Sequence, residues 1–256
     1  MTHVICDLDG VLYRGCKLIP GSAEALQRLV DALPVLFVTN NSTRPPAATA
    51  EKITQLTGVN IDAEQVLTSS MAAATMLEEG DSPVLVVGEQ GVADAITTRG
   101  LEVTPAHDGA RAVVVGLTRR IDYEMIAAAA DAVREGARFI ATNIDPTFPT
   151  ESGLLPGAGS LVAAIAAASG REPEVAGKPH APMRRLIEKA GVSDAWVIGD
   201  RLDTDIALAS DHPDWRTIVV LTGVTGEEEA QGADVDFVVA DFSRAVDVVL
   251  TALEGR

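Results

Sequence analysis

The chain has 256 residues, with 37 acidic side chains against 20 basic ones and a net charge of −17. That balance excludes a broad basic surface for nucleic acid or an anionic membrane, and the acidity reads as a solvating surface. An apolar content of 47% with only 4% aromatics suits an alanine-, valine- and leucine-rich α/β protein, long enough for one large core or two smaller ones.

The chain opens on an apolar run that stops at Asp7-Leu8-Asp9-Gly10, which places two carboxylates at the carboxyl end of a buried strand. Successive strand side chains point to opposite faces, so both acids serve one site only if the chain leaves strand geometry near Asp9, and Gly10 permits that turn. Gly21 and Ser22 then start a helix with Ala25, Leu26, Leu29, Val30 and Leu33 on one face, ended by Pro34. A second buried strand over 35–38 runs into Thr39-Asn40-Asn41-Ser42-Thr43, and a helix follows Pro45 and Pro46. A third strand is expected over 65–68, then a short helix capped by Ser69 or Ser70 and ending near Gly80.

The pattern begins afresh with a strand over 84–87 and a helix to Gly100. Further strands are expected over 112–117 and 139–142, on either side of a helix over 123–135. A Pro/Gly-rich loop over 145–159 leads to an alanine-rich helix over 160–169. The last third returns to the opening pattern, with strands over 195–198, 217–221 and 237–239. Such alternation predicts a doubly wound parallel sheet flanked by helices. Boundaries fall at the acidic turn 78–83 and the polar stretch 170–174, giving a discontinuous core of 1–80 and 175–256 around an inserted α/β unit, 81–174. Cys6 and Cys16 form no metal-cluster spacing and suit a reducing, cytoplasmic setting. The N-terminus lacks a signal-length apolar segment, and no run of about 18 apolar residues occurs, so a soluble protein with no membrane partner is expected.

Four strand-end signals carry chemistry: Asp7 with Asp9, Thr39, Lys178, and Asp200 with Asp205. Taken singly each has an ordinary reading. Thr39 and Asn40 can cap the next helix, Lys178 can be a loop lysine, and Gly199-Asp200-Arg201-Leu202-Asp203-Thr204-Asp205 can be an acidic helix start. Their occurrence together, in one order, argues for a joint site. Two carboxylates in different environments can divide the work of nucleophile and general acid/base. His180 reads as a solvent-facing or capping residue, and His3, His107 and His212 show no metal-ligand spacing.

The stretches Asp7-Leu8-Asp9-Gly10-Val11-Leu12-Tyr13, Val38-Thr39-Asn40-Asn41-Ser42, Gly177-Lys178-Pro179 and Gly199-Asp200 through Asp205-Ile206 closely resemble the haloacid-dehalogenase-like phosphatase superfamily. The likeness is to its nitrophenyl-phosphatase and NagD-like branch (subfamily IIA), and it extends through Asn143, the segment Pro156 to Ser160, and Leu221 to Thr225. This resemblance implies a Rossmann-like core with an inserted α/β cap, and hydrolysis of small phosphate monoesters with Mg²⁺. The classes it covers are glycerol phosphate, phosphoglycolate, sugar phosphates, nucleotides and pyridoxal phosphate. It implies Asp7 as the nucleophile that becomes an aspartyl-phosphate, and Asp9 as the acid/base. Asp7, the backbone carbonyl of Asp9 and Asp200 would hold the metal, with Asp205 orienting that shell. Thr39, Asn40, Asn41 and Lys178 would bind the phosphate. Asn143, Asp145 and the turn from Pro156 to Ser160 are the parts of the cap expected to face the leaving group; alternatively, that Gly/Pro-rich segment is only a rigid connector. Asp203 is assigned to solvent or the cap. The resemblance also allows a homodimer paired through the caps. Three rival functions share parts of the pattern: a receiver-like signalling module with a phospho-accepting aspartate, a non-enzymatic binder of phosphate esters, and phosphoryl transfer to a second alcohol, as in mutases.

Overall fold

A computed structural model describes residues 1–150 and 153–254 of the chain. Its main sheet has six parallel strands, in the spatial order Phe237–Val239, Arg216–Val220, Asp194–Gly199, Thr2–Cys6, Val35–Thr39 and Val66–Thr68. Strand Val35–Thr39 is buried along its whole length, as expected of parallel strands covered on both faces. The first strand, Thr2–Cys6, lies between Val35–Thr39 and Asp194–Gly199. The chain therefore leaves it in one direction early and returns to its other side late. This is a topological switch point, where the connections diverge and open a crevice at the carboxyl ends of the strands.

A second sheet has five parallel strands, ordered Glu174–Val175, Arg138–Ala141, Ala112–Val115, Val84–Val87 and Val103–Thr104. All of its strands come from the middle of the sequence. Helices Tyr123–Arg134 and Ala158–Ser169 cover one of its faces through Ala129, Val133, Val162 and Ile165. On the main sheet, Ser22–Ala32 packs with the C-terminal helix Phe242–Glu254 through Leu26, Leu29, Phe242 and Val246. A single apolar cluster joins the sheets: Ile5, Leu36 and Val38 of the first share it with Val84, Val114 and Ile140 of the second. Among the described residues no helix is long and apolar enough to cross a membrane.

The structure differs from the sequence reading at several places. The stretch read as a loop over 145–159 contains an antiparallel pair, Thr147–Thr150 with Gly153–Pro156; residues 151 and 152 lie outside the described residues. Prolines and glycines that signal loops here sit in a small two-stranded ribbon, where missing ladder donors cost little at the edge. The helix after Val66–Thr68 ends at Thr75, well before Gly80, and Thr68 rather than a serine accepts the capping N–H of Met71. Strand Glu174–Val175 pairs with Arg138–Ala141 of the second sheet, and helix Ala181–Lys189 follows the Lys178 loop.

The loop after Val35–Thr39 docks onto the carboxyl ends of the second sheet. Thr142 donates its hydroxyl to Ser42 Oγ at 3.3 Å, and the Gly91 amide donates to the Thr43 carbonyl at 3.2 Å. A Cβ on Gly91 would lie 2.6 Å from the Ser42 carbonyl oxygen and from the Arg44 carbonyl carbon. Gly91→Ala therefore sets helix propensity, a gain of about 1 kcal/mol, against overpacking at a cost of roughly 1–3 kcal/mol. The expected outcome in urea denaturation is a net loss of stability. A stabilised variant would show that this loop does not press on the helix Gln90–Thr98.

Candidate active site

Asp7 follows the central strand directly, and its amide donates to the Ile198 carbonyl at 2.9 Å. The backbone then turns: Gly10 has φ +91°, a left-handed conformation that disfavours any side chain. A Cβ there would also lie 2.5 Å from Asp200 Oδ2, so the turn is pressed against the end of the neighbouring strand. The turn carries Asp9 to the rim of the same cavity as Asp7.

Lys178 is buried and bridges three acceptors. Its Nζ lies 2.5 Å from Asp7 Oδ1, 2.7 Å from Asp205 Oδ1 and 2.6 Å from the Val38 carbonyl oxygen. Burial alone would push this ammonium down, but the carboxylates of Asp205 and Asp7 outweigh it and hold its pKa above the usual lysine value. Asp205 turns its other oxygen to the amides of Asp200 and Arg201, at 3.0 and 3.1 Å. Asp200 Oδ2 in turn accepts the Val224 N–H at 2.8 Å.

Carboxylate oxygens of Asp7, Asp200 and Asp205 lie within 4.8 Å of one another, all three residues being buried. Burial raises Asp7 well above the usual carboxylate range; Lys178 opposes this, and Asp205 and Asp200 add to it. Burial and the Asp205 charge push Asp200 up to about 7. Hard oxygen donors crowded in this way, with one buried ammonium against three acids, are the donor set a divalent cation such as Mg²⁺ takes. Asp9 is raised by burial too, against the pull of Lys52 and a hydrogen bond from Asn41 Nδ2 at 3.4 Å.

Asn40 and Asn41 occupy different settings. Asn40 Oδ1 accepts the Lys178 amide at 2.8 Å, and its Nδ2 donates to the Lys178 carbonyl at 3.2 Å and to Asp145 Oδ2 at 3.1 Å. Its side chain thus ties the lysine loop to the middle of the chain. Asn41 is exposed and folds back on Thr43, accepting that residue's N–H at 3.1 Å. Thr39 is buried, its hydroxyl accepting the Asn41 amide at 3.1 Å. Asn143 is also committed internally, donating to the Asn40 carbonyl at 2.7 Å and accepting the Asp145 amide at 3.1 Å. Asp145 lines the cavity, and its pKa is raised by burial, against the nearby Arg201 and Asn40. Asp203 is exposed and pairs with Arg201 at 2.9 Å. His180 stands at the start of helix Ala181–Lys189, with burial lowering its pKa.

Arg201, Thr204, Leu117, Phe148 and Pro149 also line the cavity, and the sequence reading gave them no role. Arg201 lay inside a motif read for its acids. The β-branched and aromatic residues Thr147, Phe148 and Thr150 are the signal the ribbon offers, against the proline beside them.

Comparison with known proteins agrees with this geometry. Residues 4–102 match the haloacid dehalogenase-like hydrolase family, and residues 175–245 match a HAD-hydrolase-like family. The chain is 41% identical over 230 residues to the 5′-nucleotidase YutF of Bacillus subtilis, covering 88% of each. The p-nitrophenyl phosphatase from Archaeoglobus fulgidus superposes with a TM-score of 0.86 at 32% identity, over 96% of this chain and 98% of that one. A glycerol phosphate phosphatase from Mycobacterium tuberculosis, solved in complex with magnesium, superposes at 0.85 with 36% identity, over 95% of this chain and 75% of that one. The chain belongs to the haloacid dehalogenase-like hydrolases, in the branch that includes NagD and the nitrophenyl phosphatases.

The two asparagines should separate by stability. Asn40→Ala strips donors and an acceptor from the buried Lys178 main chain and Asp145, and should cost about 2–3 kcal/mol. Asn41→Ala, at the exposed neighbour, should cost less than about 1 kcal/mol. Equal losses in chemical denaturation would refute Asn40 as the tie.

Proposed function

We infer that this chain is a Mg²⁺-dependent phosphatase that hydrolyses small phosphate monoesters through an aspartyl-phosphate on Asp7. One observation carries the reading: two carboxylates face one cavity in different surroundings, Asp7 clamped by Lys178 and Asp9 hydrogen-bonded to Asn41. Asp7 and Asp200, with the main-chain carbonyl of Asp9, are the groups that would hold the metal. A Mg²⁺ held by these groups would neutralise charge on the phosphate oxygens and polarise phosphorus.

In the first step an Asp7 oxygen attacks phosphorus as the bond to the leaving alkoxide breaks. Lys178, fixed on Asp7, sets the rotamer of the nucleophile and supplies positive charge to the transferring group. Asp9, its pKa raised by burial, gives its proton to the departing oxygen. In the second step the same carboxylate takes a proton from water, which attacks phosphorus and releases phosphate and Asp7. Asp205 positions both Lys178 and the turn that carries Asp200. Thr39, the Asn40 main chain and Asn41 would complete the phosphate cradle. We assign Asn143 to holding the loop around Asn40, and leave Asp145 as the cap residue nearest the leaving group.

We take residues 1–80 with the C-terminal third as the catalytic core, and the second sheet as a cap that selects substrates and excludes water. Because Glu174–Val175 pairs in the second sheet, we draw the return to the core just after it. Two cysteines, one of them buried in the first strand, support a cytoplasmic setting.

Asp7→Asn should abolish phosphate release from every ester, with or without Mg²⁺. Asp9→Asn should lower turnover by about 10²–10⁴-fold while Mg²⁺ binding persists, because the group that would hold the metal there is the main-chain carbonyl, which the substitution keeps. A continuous phosphate assay beside metal titration of each variant tests both roles. Turnover near wild type in either variant removes that residue from its role.

A further inference from the structure

Asp9 lines two cavities. The catalytic one, which also contains Asp7 and Lys178, has a volume of about 70 Å³. A second, of about 610 Å³, adjoins it and shares Asp9, Asn41, Leu117, Phe148 and Pro149 as a common wall. If Asp9 protonates the leaving oxygen, the rest of the alcohol must extend past Asp9, and the larger cavity lies on that side.

The wall of this cavity runs against the character of the chain. The molecule carries −17, yet Arg44, Lys52 and Arg119 converge here from two separate stretches of the chain. Arg44 precedes helix Pro46–Thr57, Lys52 lies within it, and Arg119 follows strand Ala112–Val115 of the second sheet. Among the described residues none of the three forms an ion pair. The other acid among the described residues of this wall, Glu89, is already taken: it accepts the Thr118 hydroxyl and the Arg120 guanidinium, each at 2.8 Å. Two of the cations are held over aromatic rings, with Lys52 Nζ 3.6 Å from the centroid of Tyr13 and the Arg119 guanidinium 5.7 Å from that of Phe148. Guanidinium forks match carboxylate and phosphate oxygens in pairs.

We propose that this second cavity is a subsite for an additional anionic group on the leaving alcohol, bound by Arg44, Lys52 and Arg119, so that the enzyme prefers phosphate esters carrying a carboxylate or a second phosphate. The inference rests on the phosphatase reading and selects within it. It also gives the cations a purpose that solvation does not, because the surface elsewhere is solvated mainly by acids.

The test compares kcat/KM for 2-phosphoglycolate and fructose 1,6-bisphosphate with that for glycerol 3-phosphate and 4-nitrophenyl phosphate. It uses the wild type and Arg44→Gln, Lys52→Met and Arg119→Gln. The arginines are exposed, so their replacement leaves the core intact. In the wild type the anionic-to-neutral ratio should exceed about tenfold, and each arginine variant should lower that ratio about tenfold through KM, as expected for a lost charge-assisted hydrogen bond. Added salt should weaken the preference in the wild type more than in the variants. Which anionic ester leads separates carboxylate from phosphate. Equal turnover of anionic and neutral esters, or variants that depress all four substrates alike, overturns the subsite while leaving the phosphatase intact. No release from any ester, 4-nitrophenyl phosphate included, overturns both.

Discussion

The site depends on one buried ammonium. Lys178 bridges Asp7, Asp205 and a main-chain carbonyl at the end of the adjacent strand, and it does so where three buried carboxylates crowd within 4.8 Å. Removing one partner from a buried ion pair costs about 3–5 kcal/mol, because the remaining charge is left without water or counter-charge. Here the lysine has two acidic partners, so the loop that bears it is bound to both central strands. The ammonium that clamps Asp7 thus also fixes the relative places of the segments carrying Asp7 and Asp205.

Around that bridge, the fold brings together carboxyl ends from two sheets. The main sheet supplies Asp7, Thr39 and Asp200 at its switch point, and the second sheet supplies Thr142 and Asn143 just past Arg138–Ala141. Asn40 is the tie between them, meeting Lys178 on one side and Asp145 on the other. Close approach is enforced by small residues. A Cβ on Gly177 would lie 2.4 Å from Asn40 Oδ1 and 2.6 Å from the Thr142 carbonyl oxygen. The glycine beside the lysine therefore permits the contact that orders its loop.

Much of this was legible in the sequence, for physical reasons. Buried parallel strands are continuous apolar runs, and Val35–Thr39 and Asp194–Gly199 show it plainly, so the strand ends and the acids on them could be read off the chain. What the sequence does not carry is the choice of partners. Asn40 and Asn41 are adjacent and chemically identical, yet one is buried in a latch and the other is exposed, a difference set by a lysine loop 138 residues away. The Thr147–Thr150 ribbon was masked by its proline and its glycine-bearing return, which carry the composition of a loop. Arg44 and Arg119 were unreadable as a pair, since only the docking of the two sheets places them on one wall.

The charge distribution accounts for how an acidic protein can act on anionic esters. A net charge of −17 repels a phosphate at a distance, and screening confines that repulsion to about 8–10 Å at physiological salt. Within that range the local arrangement decides. Asp200, held near a pKa of about 7 by burial and Asp205, shows how much carboxylate charge the site has to offset, a load that one ammonium does not balance. Three carboxylates against one ammonium leave the charge that a divalent cation held at this site would offset, making room for an anionic ester. Cations beyond Asp9 extend the same logic outward, because an ester bearing a second anion meets positive charge there as well as at the reacting phosphorus. Acidity over the surface and selectivity for anions inside are thus compatible, provided the bases are few and placed where the substrate must pass.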